Sequence, residues 1–369
     1  MDAVLPSPLL HKNSPDNPDV ARARELVLEH GWNSTSFQIV NPGIKRWFAA
    51  EGDAVVGYVA ASGVRVVVGG PVCENERLRD IVVAFESDAA SCGDAVCYFA
   101  AETRLESAVV DRTDHSKFLL GAQPAWDPQD WSTIVSEQRS IRSQLNRARN
   151  KGVTVGEWPP ARARSKADLV LVLDEWLATK NLPPLHFMVE SDTLGRLEHR
   201  RIFVAMYGGS IVGFVVMSPI AKRKGWLFEQ FPHVPSAPNG TVELMIDAAM
   251  RAIASDGCRY ATLGLSPLSR RAHVAPIEQS AWLRILLAWV RKHGQRFYNF
   301  DGLDSFKAKL RPQRWEAVYA VVNSSSVTPW HLYSIASVFS GNRPLRLFAR
   351  AISKAGRTEL RWLIGKLKR

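Results

Sequence analysis

Two carboxylates and an anion-binding helix end lie close together between Gly225 and Met250, GWLFEQFPHVPSAPNGTVELMIDAAM. Trp226 to Phe231 reads as a strand and is followed by a proline-rich loop. Asn239-Gly240 supplies turn chemistry, and Thr241 is expected to cap the helix that follows. Met245, Ala248, Ala249 and Ala252 recur at helical spacing on one face. Glu229 then falls at the strand end and Glu243 in the first helical turn. Free N–H groups and the positive end of the helix dipole can hold a phosphate or another anion there. Such a junction suits group transfer onto a hydroxyl or amine. A plainer reading also stands: Glu243 answers the dipole, and Glu229 is solvated.

The elements that must position these groups follow from pattern. A helix over Asp19–His30 precedes short Val- and aromatic-rich runs at Phe37–Val40, Lys45–Ala49, Ala54–Ala60 and Val64–Val68, closed by Gly69-Gly70-Pro71. Leu78–Ser91 reads as a helix and Ala95–Ala101 as a buried strand. Gln123–Asp130, with two prolines, reads as a break. Ser136–Lys151 reads as one helix carrying Arg139, Arg142, Arg147, Arg149 and Lys151, either a solvated face or one that meets phosphates. Then follow a helix at Ala167–Thr179, a hairpin of Arg201–Met206 and Ile211–Ser218, a short strand at Tyr260–Leu265, a long apolar helix at Ile277–Lys292, and a last strand at Trp315–Val322. Hairpin, strand, helix, strand is the order of an N-acetyltransferase-type fold, and the first half reads as a degenerate copy. The expected class is α/β (α+β), with two tandem acyl-CoA N-acyltransferase-like (GNAT-like) subdomains and mixed central sheets. Expected boundaries are 1–16 disordered, 17–130 and 131–325 the two subdomains, and 326–369 a basic amphipathic tail.

Composition narrows the function. The 369 residues suffice for about two domains, and a 46% hydrophobic fraction is ordinary for a globular protein. Cys73, Cys92, Cys97 and Cys258 form no CxxC pair, and the histidines form no ligand cluster, so neither a disulfide framework nor a metal is expected. There is no secretory leader pattern and no apolar run near the ~20 residues needed to span a bilayer. The net charge is +11, and residues 341–369 hold nine Lys or Arg against Glu359 alone. Leu, Ile, Phe and Trp interleave with those charges, the pattern of a segment lying on an anionic membrane surface. A packed helix with a solvated basic face, or attraction to RNA, would use the same composition. There is no Walker A, no GxGxxG after a strand and no GxSxG elbow. Ser236–Thr241 stands where an acetyl-CoA enzyme would carry its glycine-rich pyrophosphate loop, and it has one glycine. No cofactor is expected.

A set of motifs then occurs in one order: Gly213-Phe214; Pro238-Asn239-Gly240-Thr241 with Glu243-Leu244; Leu263-Gly264-Leu265-Ser266-Pro267-Leu268; Tyr298-Asn299-Phe300 with Gly302-Leu303; and Phe306-Lys307-Ala308-Lys309 with Pro312, Trp315 and Tyr319. Together they resemble the C-terminal catalytic domain of the aminoacyl-phosphatidylglycerol synthases, the multiple peptide resistance factor family, over about residues 35–322. Gly69-Gly70-Pro71 resembles the family's Gly-Asp-Pro turn, and Arg142 with Asn146 its Arg-rich helix.

The resemblance implies a transferase that moves an amino acid from aminoacyl-tRNA to the hydroxyl of an anionic phospholipid, phosphatidylglycerol being the acceptor to expect. It implies a stand-alone soluble form, cytoplasmic and peripheral on the inner membrane face, with a part in resistance to antimicrobial peptides. Glu229, Glu243 and Lys307 are the expected catalytic residues. Either carboxylate can serve as general base or hold the amino group of the transferred amino acid. Arg142, Asn146, Asn239, Gly240, Ser266, Lys309 and Arg311 are the expected substrate-binding residues, Lys307, Lys309 and Arg311 suiting a lipid phosphate or the tRNA terminus. The family's Asp-x-x-Arg arrangement is altered: Glu229 stands for the acid, but Pro232, followed by His233, takes the arginine position. Two alternatives remain: an acyl-CoA-dependent N-acyltransferase, and a non-catalytic RNA- or membrane-binding protein.

Overall fold

The structure, a computed structural model, describes residues 17–179, 187, 193–275, 277, 280–293 and 299–341. The proline-rich segment 1–16 and the basic segment 342–369 lie outside the described residues. The first half comprises α1 (Pro18–His30), β1 (Lys45–Phe48), β2 (Val55–Ala61), β3 (Val64–Val68), α2 (Leu78–Ser91), β4 (Ala95–Ala101), α3 (Thr103–Val109) and β5 (Ser116–Trp126). The second comprises α4 (Trp131–Glu137), α5 (Arg139–Asn150), β6 (Thr154–Trp158), α6 (Pro160–Arg164), α7 (Ala167–Ala178), β7 (Arg201–Tyr207), β8 (Ser210–Ile220), β9 (Gly225–Gln230), α8 (Thr241–Ser255), β10 (Tyr260–Thr262), β11 (Ser266–Pro267), α9 (Ala281–His293), α10 (Phe300–Lys309), β12 (Arg314–Val322) and α11 (Pro329–Phe339).

The strands form one sheet in the order β1-β2-β3-β4-β12-β5-β10-β9-β8-β7-β6, with β11 also on β5. Each half repeats one plan. β1, β2 and β3 run antiparallel, and β4 returns parallel to β3 after α2. Likewise β7, β8 and β9 run antiparallel, and β10 returns parallel to β9 after α8. A parallel neighbour needs such a crossover, which is why a helix follows β3 and β9. This is the hairpin-strand-helix-strand order expected from the sequence, present twice in an α/β fold.

The two halves then exchange a strand. β5, from the first half, pairs β10 of the second, while β12 pairs β4 of the first, and β5 and β12 pair each other antiparallel from Val322↔Ser116 to Arg314↔Ala125. The sheet is thus continuous across residue 130. β12 lies between β4 and β5, and α11 packs on β2 and β3.

Local pattern explains most elements. α2 buries Leu78, Ile81, Val82, Phe85 and Ala89, a helical stripe, against one face of the first-half sheet. Every residue of β3 is buried, since both faces are covered. In the second half α8 buries Leu244, Met245, Ile246, Ala249, Met250 and Ile253 against the sheet and α5. Burying one such Leu, Ile or Met side chain stabilises the fold by about 1.5–3 kcal/mol.

Several expectations need correction. Phe37–Val40 is not a strand: Ser36–Val40 is a buried 3-10 turn, because Asn33, Thr35 and Gln38 carbonyls accept from N–H groups three residues on and Asn41 Nδ2 donates to Gln38 Oε1 at 2.6 Å. Gln123–Asp130 is not a break throughout, since Gln123–Trp126 continues β5. The single helix expected over Ser136–Lys151 is two, bent at Gln138, where the backbone turns extended. Thr241 does not cap α8; Gly240 occupies that position in the left-handed region (φ 94°), and Thr241 Oγ1 instead donates to Pro238 O at 2.6 Å.

Candidate active site

β9 and β10 pair in parallel for three residues only, Gly225↔Tyr260 to Leu227↔Thr262, and then part. β9 continues through Phe228, Glu229 and Gln230. The chain beyond β10 rejoins the sheet at β11, where Ser266 pairs Ala122 of β5. Leu263, Gly264 and Leu265 therefore face only Gln123 and Pro124, a bulge with one residue too many for the strand opposite. Pro124 sits in β5 at this gap. Gly264 is left-handed (φ 68°), and a Cβ there would come within 3.2 Å of Leu227 Cδ1. The carboxyl ends of parallel strands that part in this way form a crevice suited to a ligand.

Lys307 of α10 closes one wall of it. Its Nζ donates to Gly264 O at 2.8 Å and Leu265 O at 2.9 Å, and only 3% of the residue is exposed. Burial pushes the ammonium down to about 7, against a weaker upward pull from Asp304. Ser266, next in the chain, is buried, and its hydroxyl has no hydrogen-bond partner among the described residues.

Glu229 lies on β9, two residues beyond its last pairing with β10. Its Oε1 accepts from Arg200 Nε at 2.9 Å, both side chains being buried. Arg200 also donates to Arg196 O at 2.8 Å and Asn41 Oδ1 at 3.1 Å, and its guanidinium lies over Phe37, 4.8 Å from the ring centroid. An arginine therefore does meet Glu229, but it comes from the residue just before β7 rather than from position 232. Sequence reading missed it because the partner lies 29 residues upstream.

The loop from β9 to α8 brings a second group together. A Cβ on Gly240 would lie 2.2 Å from Gln144 O, so α8 can start against α5 only with glycine there. Glu243 is half-buried and has no ion-pair or hydrogen-bond partner among the described residues. Asn239 is exposed in an open polar depression with Lys151, Tyr207 and Ser236, and Asn146 is exposed on α5. Arg142 donates to Val135 O at 3.3 Å and also to Ser136 O, satisfying the free carbonyls at the end of α4. Arg149 of the same basic helix is tied to Asp247 at 2.7 Å, which leaves Arg139, Arg147 and Lys151 unpaired among the described residues. Lys309 and Arg311 are exposed at the end of α10, without partners among the described residues.

A charged network beneath the bulge was not foreseen. Arg223 Nη1 donates to Glu102 Oε2 at 3.1 Å, and Arg223 Nη2 to Glu316 Oε1 at 2.6 Å; the guanidinium sits 3.4 Å from the Tyr260 ring centroid. Tyr260 Oη donates to Glu316 Oε2 at 2.7 Å and Gln123 Nε2 to the same oxygen at 3.2 Å. Burial works to raise Glu316, but Arg223, Tyr260 and Arg314 outweigh it and hold the carboxyl down to about 2. Glu102, more deeply buried, is raised. The network joins β4, β5, β10 and β12 at the strand exchange. Its one sequence signal was Arg314 and Glu316 opening an otherwise apolar strand.

Among the described residues, no helix is long and apolar enough to cross a membrane, and no cluster of His, Cys, Asp or Glu could hold a metal. Residues 24–322 match the family model for the C-terminal part of phosphatidylglycerol lysyltransferase. The phosphatidylglycerol lysyltransferase of Bacillus subtilis is 24% identical over 304 residues, 82% of this chain and 35% of the relative. The chain thus spans about a third of that curated relative's length. Of solved structures, a C-terminal domain from Agrobacterium fabrum, named for lysylphosphatidylglycerol synthetase, superposes with a TM-score of 0.75 at 24% identity, covering 88% of this chain and 97% of that one. The L-PGS structure from Bacillus licheniformis gives 0.71 at 20% identity, covering 87% and 97%. These likenesses show a shared fold, and the family match over most of the chain shows that it belongs to the phosphatidylglycerol lysyltransferase C-terminal family.

Proposed function

We propose that the protein is an aminoacyltransferase that moves an amino acid from aminoacyl-tRNA to a hydroxyl of phosphatidylglycerol at an anionic membrane surface. The observation that carries this reading is the family match over residues 24–322, which spans the whole crevice between β9 and β10. The donor ester is already activated, so the reaction exchanges one ester for another without ATP. The acceptor hydroxyl gives up its proton, its oxygen attacks the aminoacyl carbonyl carbon, and the resulting oxyanion collapses. The tRNA ribose oxygen leaves and takes up a proton. Alignment, proton transfer and oxyanion stabilisation are the demands on the protein.

In this proposal Glu243, unpaired among the described residues, accepts the proton from the acceptor hydroxyl. Glu229, oriented by Arg200, takes the amino group of the transferred residue. Lys307 holds the Leu263–Leu265 bulge in shape and, with a pKa near neutrality, can release or accept a proton there. Asn239, Gly240, Asn146 and Arg142 set the α5–α8 side of the site, while Ser266, Lys309 and Arg311 serve the substrate phosphates.

The test is transfer of label from total aminoacyl-tRNA into the chloroform-soluble fraction, with liposomes with and without phosphatidylglycerol. Label that requires phosphatidylglycerol and disappears in Glu243→Ala supports the assignment and names the donor amino acid. Absence of lipid-phase label from folded protein would overturn the lipid acceptor. Label that survives Glu243→Ala would remove that residue from the chemistry.

A further inference from the structure

An unassigned cavity of about 220 Å³ lies where α9 meets the chain just after β11. Leu119, Leu268, Leu287 and Ala288 make its apolar lining, and Arg270, Arg284 and Arg291 surround it. Arg291 Nη1 donates to Leu268 O at 2.8 Å. Arg270 and Arg284 are exposed, and neither side chain has a carboxylate or hydrogen-bond partner among the described residues. On α9, Arg284, Leu287, Ala288 and Arg291 share one face at helical spacing. The adjoining face turns Ile285 (67% exposed) and Trp289 (57% exposed) to solvent. Large exposed apolar side chains beside arginines unpaired among the described residues are a pattern that suits a bilayer interface.

We propose that this cavity and the exposed face of α9 dock the protein on a bilayer, Arg270, Arg284 and Arg291 holding the phosphodiester of an anionic glycerophospholipid while Ile285 and Trp289 enter the acyl boundary. The charges complement an anionic headgroup, and the apolar lining suits the glycerol and first chain carbons. A nucleic acid would be drawn by the arginines but would leave the aliphatic Ile285 in water. Position supports the assignment. Leu268 lies only four residues beyond Gly264, whose carbonyl accepts from Lys307, and Ser269 Oγ donates to Asp304 Oδ1 of α10 at 2.6 Å. This inference rests on the proposed transferase reading for its choice of lipid.

The test uses the full chain with Cys92→Ser and Ile285→Cys, labelled at 285 with an environment-sensitive fluorophore and titrated with neutral phosphatidylcholine vesicles or vesicles containing phosphatidylglycerol. A local probe reports α9 whatever the basic segment 342–369 does. The expected result is a blue shift and quenching by membrane-embedded quenchers with anionic vesicles only. With ~1 kcal/mol for each basic residue near such a surface, Arg270→Ala with Arg284→Ala should require about 30-fold more lipid. A probe unmoved by either vesicle, moved equally by both, or moved by tRNA in place of lipid overturns the proposal. Transfer to short-chain, water-soluble phosphatidylglycerol is measured alongside. If it persists while the probe is silent, the docking surface fails and the transferase stands; if it is absent while the probe responds, the transferase reading fails.

Discussion

Replacing Lys307 by methionine tests the physics of the crevice wall without reference to turnover. The ammonium is lowered from 10.5 to about 7 by burial, a difference of about 5 kcal/mol between its charged and neutral forms. The unfolded chain therefore holds this proton over a range in which the folded chain has released it. Where the unfolded state binds more protons, stability rises with pH. The burial penalty is present in full below about pH 7 and is relieved as pH climbs toward the unfolded value. Integrating that difference, Lys307 should add about 2.5 kcal/mol of stability between about pH 6 and pH 9. Methionine carries no proton but leaves Gly264 O and Leu265 O without their donor, a pH-independent loss of about 1–3 kcal/mol for each unsatisfied carbonyl. Urea unfolding of both proteins across that pH range isolates the effect, because all other groups cancel in the difference. The gap between wild type and Lys307→Met should widen steadily with pH. Parallel curves would refute the buried, proton-releasing lysine, and a gap that narrows would reverse its sign.

Three further outcomes follow from the geometry. Arg200→Met leaves the buried Glu229 carboxylate unpaired and should cost about 3–5 kcal/mol in chemical denaturation, whereas Arg200→Met with Glu229→Met should recover most of that loss. Gly240→Ala forces a Cβ to 2.2 Å from Gln144 O at φ 94° and should cost about 2–4 kcal/mol; Gly257→Ala, also at positive φ but in open space, should lose only about 1–2 kcal/mol by the same assay. Glu316 is held down to about 2, so it contributes about 3 kcal/mol that is present above its unfolded value near 4.5 and lost as pH falls through about 2. Acid unfolding of Glu316→Gln should lack that part of the pH dependence, and an unchanged acid profile would remove Glu316 from the account.

Elements whose signal is periodic and local were legible in the chain. α2 shows a helical apolar stripe, β3 an unbroken valine-rich run, and β7 and β8 flank the Gly208-Gly209 turn. The motifs that pointed to the family also located the crevice, because Leu263–Ser266 and Phe306–Lys309 are the bulge and the helix that meet there. Errors arose where tertiary partners overrule local preference. Pro124 suggested a break, yet it sits in a central strand opposite the gap between β10 and β11. Phe37–Val40 has strand composition, yet forms a buried turn whose polar groups are satisfied locally. Arg142 donates to Val135 O at the end of α4, a contact that no local pattern announces.

By itself the sequence determined the repeated order of strands and helices, the basic balance and the family, and it proposed Lys307, Glu229 and Glu243 as candidate groups. Each is written in local pattern or in residue type. Tertiary structure alone decided that β5 and β12 exchange halves, that Arg200 meets Glu229, and that Arg223 joins Glu102 to Glu316. Those pairings link residues from 29 to more than 200 positions apart. Their geometry depends on how the strands register and on which charges the core can leave paired after water is removed, and neither has a signature in neighbouring residues.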